Sequence, residues 1–224
     1  MKILAIDTSL TAVSACVFDG DHALVLSTES LPMKRGHAEA LMPLVDRVVR
    51  KMVGGFSSIR RVAVTVGPGS FTGIRVGISA AQAIGLALEV EVVGVSTLAA
   101  FAAPLVIAGG EAKIVAAIDA RHGNVFFQAF TAKGRTLVPA QIASAAEAAA
   151  LIGEGPFRMA GSGGGALVVE AWKHGQQADP AGELEIPLIE YVARLGHSAD
   201  PDHAPSTPLY LKAADVTLAP EARA

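Results

Sequence analysis

The chain has 224 residues, of which 51% are hydrophobic and 17% charged, and its formal net charge is −3. This composition indicates a folded protein with an ample core and excludes the low-hydrophobicity, high-charge profile of disordered chains. The small negative charge and the lack of a Lys/Arg run argue against tight binding of a polyanion by this chain alone.

The cysteine content and the hydropathy of the sequence exclude further classes of protein. The single cysteine, Cys16, allows neither an internal disulfide nor a cysteine zinc site, and its alternating strand favours a buried, inert thiol. The first apolar run is too short for a signal peptide. Arg75 and Gln82 interrupt the longest apolar stretch before it reaches the ~18 residues of a membrane span. We therefore expect a cytoplasmic protein without membrane contact.

The first part of the chain predicts an α/β lobe. We expect strands at residues 2–6, 13–18, 23–28, 62–66 and 90–95. We expect helices at residues 37–53, 72–88 and 96–105. The first three strands form an antiparallel meander, and the last two flank a helix in a parallel βαβ unit. Residues 37–53 carry the 3.6-residue apolar period of an amphipathic helix.

The pattern restarts near residue 107. We expect strands at residues 114–118, 125–131, 136–138 and 157–160, and helices at residues 144–152, 166–174 and 186–195. Ser144 and Glu147 have the spacing of a capping box. Both parts are therefore predicted to contain the same elements in the same order: a strand ending in Asp, a hairpin, a helix and a strand. We predict two related lobes, residues 1–106 and 107–224.

The turn from Gly67 to Gly73 reads GPGSFTG. It lacks the lysine and the spacing of a P-loop, and it does not fit G-x-G-x-x-G. A tight turn with Ser70 or Thr72 as the helix N-cap is therefore favoured over a ligand cradle.

A stripe of small residues follows on the next helix. Gly73, Gly77, Ala81 and Gly85 recur every four residues and would let another backbone approach closely. Each glycine costs a helix ~1 kcal/mol relative to alanine, so a packing reason is expected. Two explanations stay open: the stripe packs on the chain's own sheet or first helix, or it meets another subunit.

Two acids occupy matching positions, Asp7 and Asp119, each at the end of a lobe's first strand. Acids facing each other across a cleft can hold a metal–nucleotide complex, although each can equally form a turn. The glycine run Gly161–Gly165 is either a flexible loop or a place where backbone approaches an adenine or ribose. The six histidines form no H-x-x-x-H or H-E-x-x-H pair, so we expect no metal.

Several motifs together resemble one family. MKILAIDTS, RGHAEALMP, VTVGPGSFTGIRVGIS, GVSTLAAFA and DARHGNVF are similar to the TsaB (YeaZ) family, bacterial proteins of the machinery that makes threonylcarbamoyl-adenosine in tRNA. The resemblance covers most of residues 1–130 and is weak from about residue 140. The exception is PLYLK at residues 208–212, which is similar to the family's terminal P-x-Y-L-R.

The resemblance implies a fold and a loss of catalysis. The fold is α/β, a two-lobed actin-like (ribonuclease H-like) architecture with a reduced second lobe. TsaB proteins look like degenerate paralogues of the catalytic subunit TsaD, which carries H-x-x-x-H where this chain reads STLAA from Ser96. The resemblance therefore implies no catalytic residue, no metal and no required cofactor, with ATP or ADP possible at the inter-lobe cleft or a subunit interface.

The resemblance also implies partners. It implies a heterodimer with TsaD, docking of the ATPase TsaE, a homodimer in isolation, and contact with tRNA only through the complex. The family pairs through its first two helices, here residues 37–52 and 72–88. The expected contact residues are His37, Leu41, Leu44, Val48, Thr72, Gly73, Gly77, Ala81 and Gly85. The possible nucleotide contacts are Asp7, Thr8, Asp119, Gly161, Gly163 and Gly164.

Two hypotheses follow. As a pairing subunit, the chain should lose its partner on Gly77→Leu or Ala81→Phe while the monomer stays folded. The alternative is an active nucleotide-binding hydrolase or a glycoprotease-like metallopeptidase, and the missing histidine pair argues against the latter.

Overall fold

A computed structural model of the chain describes residues 1–180 and 184–211. Its first sheet has the strand order β3-β2-β1-β4-β5. These strands are β1 (Lys2–Asp7), β2 (Ala12–Asp19), β3 (Leu24–Pro32), β4 (Arg61–Gly67) and β5 (Glu91–Ser96). Strands β1, β2 and β3 are antiparallel neighbours, whereas β1, β4 and β5 run parallel. The predicted meander and βαβ unit are both confirmed.

Three α-helices alternate with the later strands: α1 (His37–Arg50) follows β3, α2 (Phe71–Leu88) follows β4 and α3 (Thr97–Ala108) follows β5. A short 3-10 turn lies at Gly55–Ser58. Helix α1 ends three residues earlier than predicted. Ser96 caps α3, since its Oγ accepts a hydrogen bond from the Ala99 N–H at 3.4 Å, as the sequence predicts.

The second sheet repeats the plan of the first. Its order is β10-β9-β6-β7-β8. The strands are β6 (Lys113–Arg121), β7 (Asn124–Phe130), β8 (Thr136–Ser144), β9 (Phe157–Ala160) and β10 (Ala178–Pro180). Strand β8 is longer than predicted, and β10 was not predicted because its three residues, ADP, contain no apolar run. The duplicated plan read from the sequence is therefore present as two sheets of equal strand number.

The second lobe's helices are shorter than their counterparts. They are α4 (Ala145–Ile152), α5 (Gly164–Lys173) and α6 (Ile189–Ser198). The predicted capping box is confirmed, because Ser144 and Glu147 exchange side chain to backbone hydrogen bonds. The Ser144 hydroxyl, and then the Ser144 N–H, donate to the Glu147 carboxylate and lower its pKa. Helix α5 begins at Gly164, so part of the expected glycine loop is helical. Helix α6 starts three residues later than predicted.

The layers alternate between helices and sheets. Helices α1 and α2 cover one face of the first sheet, and α4 and α5 cover the outer face of the second. Helix α3 packs through Phe101 on the second sheet, whereas α6 packs through Val192 on the first. Helices α3 and α6 therefore each contact the other lobe's sheet, and they also contact each other.

Part of the predicted second lobe, residues 107–224, contacts the first sheet. Helix α6 and the chain after it pack on the first lobe: the Gly94 N–H donates to the Ala204 carbonyl at 2.8 Å, and the Leu209 N–H donates to the Val66 carbonyl at 2.7 Å. Helical periodicity shows which face of α6 is apolar but not which sheet it covers, so the sequence did not predict this contact. Residues 212–224 lie outside the described part of the chain.

Cys16 is buried between the first sheet and α6. Its Sγ lies 3.6 Å from the Ile189 carbonyl oxygen, and burial raises the pKa of the thiol to about 12. The thiol is therefore protonated at neutral pH, and the predicted inert cysteine is confirmed.

Candidate functional site

The carboxyl end of β1 carries a buried polar cluster. Asp7 Oδ1 accepts hydrogen bonds from the Ser9 N–H at 2.9 Å, the Ser9 hydroxyl at 2.6 Å and the Thr65 hydroxyl at 2.6 Å. The other oxygen, Asp7 Oδ2, is buried without a hydrogen-bond partner in the described part of the chain. Burial raises the pKa of Asp7, against the lowering effect of the bonds from Ser9 and Thr65.

The glycine turn closes over this cluster. The Ser70 N–H donates to the Ser9 carbonyl at 2.7 Å, and a side chain on Gly69 would collide with that same carbonyl. Ser70, one of the two predicted caps, accepts a hydrogen bond from the Gly73 N–H and so begins α2. The turn therefore seals the end of β1 rather than opening a phosphate cradle.

The small-residue stripe of α2 faces inward, which corrects the prediction that it contacts a partner. The Thr8 hydroxyl donates to the Gly73 carbonyl at 2.7 Å, and a Cβ on Gly77 would collide with the same hydroxyl. A Cβ on Gly85 would collide with Val92, and Ala81 is fully buried. All four residues bring α2 onto its own sheet, so the first of the two open explanations is the one observed.

Most other predicted contact residues are also buried. Leu41, Leu44 and Val48 belong to the core between α1, α2 and the first sheet, because the apolar side of an amphipathic helix covers its own lobe first. His37 is half-buried and lies 2.9 Å through Nε2 from the Leu10 carbonyl oxygen. Only Thr72 of the predicted set is exposed.

The surface that α1 and α2 do expose is a groove between them. It has a volume of about 460 Å³ and is lined by Met42, Phe71, Thr72, Arg75, Val76 and Ala80, among others. Met42 is 45% exposed and Phe71 47%. Of these residues the sequence predicted only Thr72 as a contact. The others lie beside the buried residues of each helix, at the edge of the apolar face, where periodicity alone does not separate core from surface. We call this surface the α1–α2 face.

Helix α2 is unusually apolar for a helix with an open side. Its 18 residues include one charge, Arg75, and only 39% of them are buried. By length and composition it is the one helix in the described ranges that could cross a membrane. It connects the parallel neighbours β4 and β5 and packs its glycine stripe on their sheet, so it is a structural part of the first lobe. Leu86, 83% exposed, extends the apolar surface along the helix.

An aromatic stack closes one end of the α1–α2 face. The Phe71 and Tyr210 rings stack at 5.2 Å between centroids, and the Arg75 guanidinium carbon lies 3.7 Å from the Phe71 centroid. Arg75 Nε donates to the Tyr210 hydroxyl at 2.9 Å. Tyr210 belongs to the PLYLK motif, whose Lys212 lies outside the described residues.

The predicted nucleotide residues fall in two different environments. Asp7 and Thr8 are fully buried, and the Thr8 hydroxyl is already bonded to Gly73. Asp119 is exposed and lines a pocket of about 620 Å³ with Asn124, Gly163 and Glu170. The structure therefore does not place Asp7 and Asp119 as an open pair of acids.

The glycine run beside Asp119 serves packing against β6. A Cβ on Gly161 would collide with the Ala117 carbonyl, and one on Gly163 would lie 2.9 Å from the Ile118 carbonyl carbon. Gly164 is buried as the first residue of α5. The pocket's lining includes two carboxylates and no Lys or Arg, so a polyphosphate is electrostatically disfavoured there. Within residues 1–180 and 184–211, no group of three or more His, Cys, Asp or Glu could hold a metal ion.

The chain is similar to known proteins over most of its length. The family model described as TsaD, tRNA N6-adenosine threonylcarbamoyltransferase, matches residues 26–172. The tRNA threonylcarbamoyladenosine biosynthesis protein TsaB of Escherichia coli is 37% identical over 127 residues, which cover 57% of this chain and 54% of that protein. The match thus spans about half the length of this relative. An uncharacterised Mycobacterium tuberculosis protein is 32% identical over 95% of this chain and 92% of its own.

Solved structures agree with the fold. YeaZ from Pseudomonas aeruginosa superposes with a TM-score of 0.70 at 26% identity, covering 94% of this chain and 99% of that one. A Bacteroides thetaiotaomicron protein with an actin-like ATPase fold, 12% identical, superposes with a TM-score of 0.50 over 87% of this chain and 95% of its own, and supports the fold alone. The predicted two-lobed actin-like fold is therefore confirmed. The chain belongs to the TsaB/YeaZ family of tRNA threonylcarbamoyladenosine biosynthesis proteins, in the glycoprotease-like superfamily.

Proposed function

We propose that this chain is a non-catalytic pairing subunit of the machinery that makes threonylcarbamoyladenosine in tRNA. Its partner in this proposal is the catalytic paralogue TsaD, which binds the α1–α2 face. The observation that carries the proposal is α2, an apolar helix with one charge, which keeps large apolar side chains such as Phe71 and Leu86 exposed in the described part of the chain.

The chemistry of the α1–α2 face supports a protein partner. Exposed Met42, Phe71 and Leu86 are large apolar side chains, and aromatic residues, methionine and arginine are enriched at the centres of protein interfaces. Clustered exposed apolar surface is a mark of interaction sites. Covering it would remove these side chains from water at about 25 cal/mol per Å² of apolar area.

The inward stripe supports the proposal indirectly. Because Gly73 and Gly77 let α2 lie directly on β1, the helix cannot shift without losing contacts of the first sheet. A rigid helix has little ordering entropy to lose on association. The glycines would therefore serve pairing by fixing the helix, while other residues make the contact.

Further parts of the proposal concern the assembly. In isolation the chain would form a homodimer through the same α1–α2 face. TsaE would bind the heterodimer, tRNA would be reached only through the complex, and the location would be cytoplasmic without membrane contact. An isologous homodimer and the heterodimer would then compete for one surface.

A second candidate function is nucleotide binding, with or without hydrolysis. The pocket beside Asp119 is of ligand size, about 620 Å³, which favours this alternative. Its two carboxylates, Asp119 and Glu170, disfavour ATP or ADP, so we place it second. Calorimetric titration of the isolated chain with ADP would support the alternative if one equivalent bound at micromolar concentration.

Co-expression with TsaD of the same organism tests the main proposal. We expect a one-to-one complex on gel filtration with light scattering, with and without added ADP. Separate elution of the two proteins under both conditions would contradict it. A homodimer that persists beside free TsaD would contradict it as well.

A further inference from the structure

Arg75 is held in place before any partner binds. Its guanidinium carbon lies over the Phe71 ring, 3.7 Å from the centroid, and Nε donates to the Tyr210 hydroxyl at 2.9 Å. Phe71 and Tyr210 themselves stack at 5.2 Å. Arg75 is exposed, and its two terminal nitrogens, Nη1 and Nη2, make no hydrogen bond within residues 1–180 and 184–211. Arginine stacked on aromatic rings keeps its planar donors in a fixed direction.

No carboxylate of the described residues pairs with Arg75. Three arginines of the first lobe have such partners: Arg47 pairs with Glu29 at 2.6 Å, Arg50 with Asp46 at 2.8 Å and Arg61 with Glu91 at 2.9 Å. Arg35 and Arg60 have none among the described residues, but they do not line the groove. Arg75 is absent from the ion pairs formed within residues 1–180 and 184–211.

The position of Arg75 makes the lack of a carboxylate partner among the described residues informative. It lines the same groove as the apolar side chains Met42, Val76 and Ala80. A partner that covers these side chains removes water from the guanidinium as well. A desolvated charge without a counter-charge is strongly unfavourable, so an apolar partner surface alone would bind poorly.

We propose that the paired subunit presents an Asp or Glu carboxylate, set among apolar side chains, to Nη1 and Nη2 of Arg75. The pair would be bidentate and would fix the orientation of the two subunits on the α1–α2 face. Tyr210 is a positioning residue, since its hydroxyl accepts the hydrogen bond from Nε and leaves Nη1 and Nη2 as the donors for the carboxylate. This inference rests on the proposed function.

The test measures heterodimer dissociation constants with TsaD of the same organism for four single variants and one double variant. We expect Arg75→Glu to weaken binding at least about thirtyfold, because it removes one charge of a desolvated pair and adds a repulsive one. Arg75→Lys keeps the charge but loses the two parallel N–H donors of the guanidinium, and it should weaken binding about tenfold. Tyr210→Phe should weaken binding less than Arg75→Lys does. The double variant should bind no more weakly than Arg75→Lys alone, because both substitutions act on the same contact. Arg50→Glu makes the same charge change on α1 outside the groove and should bind as wild type.

The outcomes separate the inference from the function on which it rests. If wild type binds TsaD and Arg75→Glu binds equally well, the carboxylate is absent and the inference fails alone. If wild type does not bind TsaD, the proposed function fails and the inference with it. If Arg75→Glu weakens only self-association, the carboxylate belongs to a second copy of this chain and the inference is wrong. Should Arg75→Glu lower the melting temperature, Arg75→Gln replaces it with the same expected direction.

Discussion

The Thr8 hydroxyl donates a hydrogen bond to the Gly73 carbonyl oxygen at 2.7 Å, which ties the first turn of α2 to the end of β1. Both residues are buried. The bond joins two segments that the sequence singled out for different functions, a nucleotide site and a subunit contact. In the structure they serve one purpose, the close packing of α2 on the first sheet.

This packing changes the expected effect of enlarging the stripe. Gly77→Leu should unfold or strongly destabilise the monomer, lowering the free energy of unfolding by at least about 3 kcal/mol, because the new side chain meets the Thr8 hydroxyl and Val64. Urea unfolding followed by circular dichroism measures the change. Ala83→Leu, on the exposed side of the same helix, should stay within about 0.5 kcal/mol of wild type. A Gly77→Leu monomer as stable as wild type would show that the stripe does not carry this packing.

The stability of the protein should depend on the ionisation of Asp7. Burial raises the pKa of this carboxyl in the folded state above its ordinary value of 3.8. The folded state therefore binds the proton more tightly than the unfolded state. The stabilisation from the neutral carboxyl is complete below pH 3.8 and is lost as the pH rises through the folded-state pKa.

Asp7→Asn tests this directly, since an amide is neutral throughout and its oxygen can still accept from Ser9 and Thr65. The free energy of unfolding of Asp7→Asn should rise relative to wild type as the pH increases above 3.8. Urea unfolding at a series of pH values gives the difference, with Asp119→Asn as the control for loss of an exposed carboxylate. A wild-type to Asp7→Asn difference that does not change with pH would contradict the account.

Arg61 should anchor α6 to the first lobe. Its Nη1 donates to the carbonyl oxygens of Gly196 at 3.1 Å and Ala199 at 2.9 Å, where α6 ends. Arg61→Met keeps the apolar stem but leaves these carbonyls without the donor, and it should cost about 2 kcal/mol. Relative to wild type, Arg61→Met should speed amide hydrogen exchange in α6 more than in α1. The neighbouring Arg60→Met, exposed, is the control, and unchanged α6 protection in Arg61→Met would refute the anchoring role.

The Ser144–Glu147 capping box gives a local prediction. Ser144→Ala removes the hydroxyl that accepts from the Glu147 N–H and should lower the free energy of unfolding by about 1 kcal/mol. Thermal unfolding can detect this, and Ser144→Asp, which also caps helices well, should restore most of the loss. Equal melting temperatures for wild type and Ser144→Ala would mean that the box adds nothing to the stability of α4.

Local signals in the sequence were sufficient for most of the elements. The caps at Ser96 and Ser144, the meander and the βαβ unit each depend on a few neighbouring residues, and each is present. The two lobes followed from repetition of the same order. These features are local, so one sequence contains enough information to find them.

The sequence did not show which part of the structure the glycine-bearing face of α2 and the apolar face of α6 would contact. Glycine spacing marks the close approach of a backbone, yet it does not distinguish the chain's own β1 from a second subunit. The same limit applies to α6, whose apolar face covers the other lobe's sheet. The arginine stack was missed because Phe71 and Tyr210 lie far apart in the sequence and meet only through the fold.

The central claim is that the outer surface of α1 and α2 binds the paired subunit, and sedimentation equilibrium with TsaD of the same organism tests it most directly. Met42→Glu puts a charge in the groove, and Leu151→Glu, also an exposed leucine-sized apolar position but on α4, is the matched control. We predict a heterodimer for wild type and Leu151→Glu, and separate proteins for Met42→Glu. A full-strength heterodimer with Met42→Glu would contradict the account.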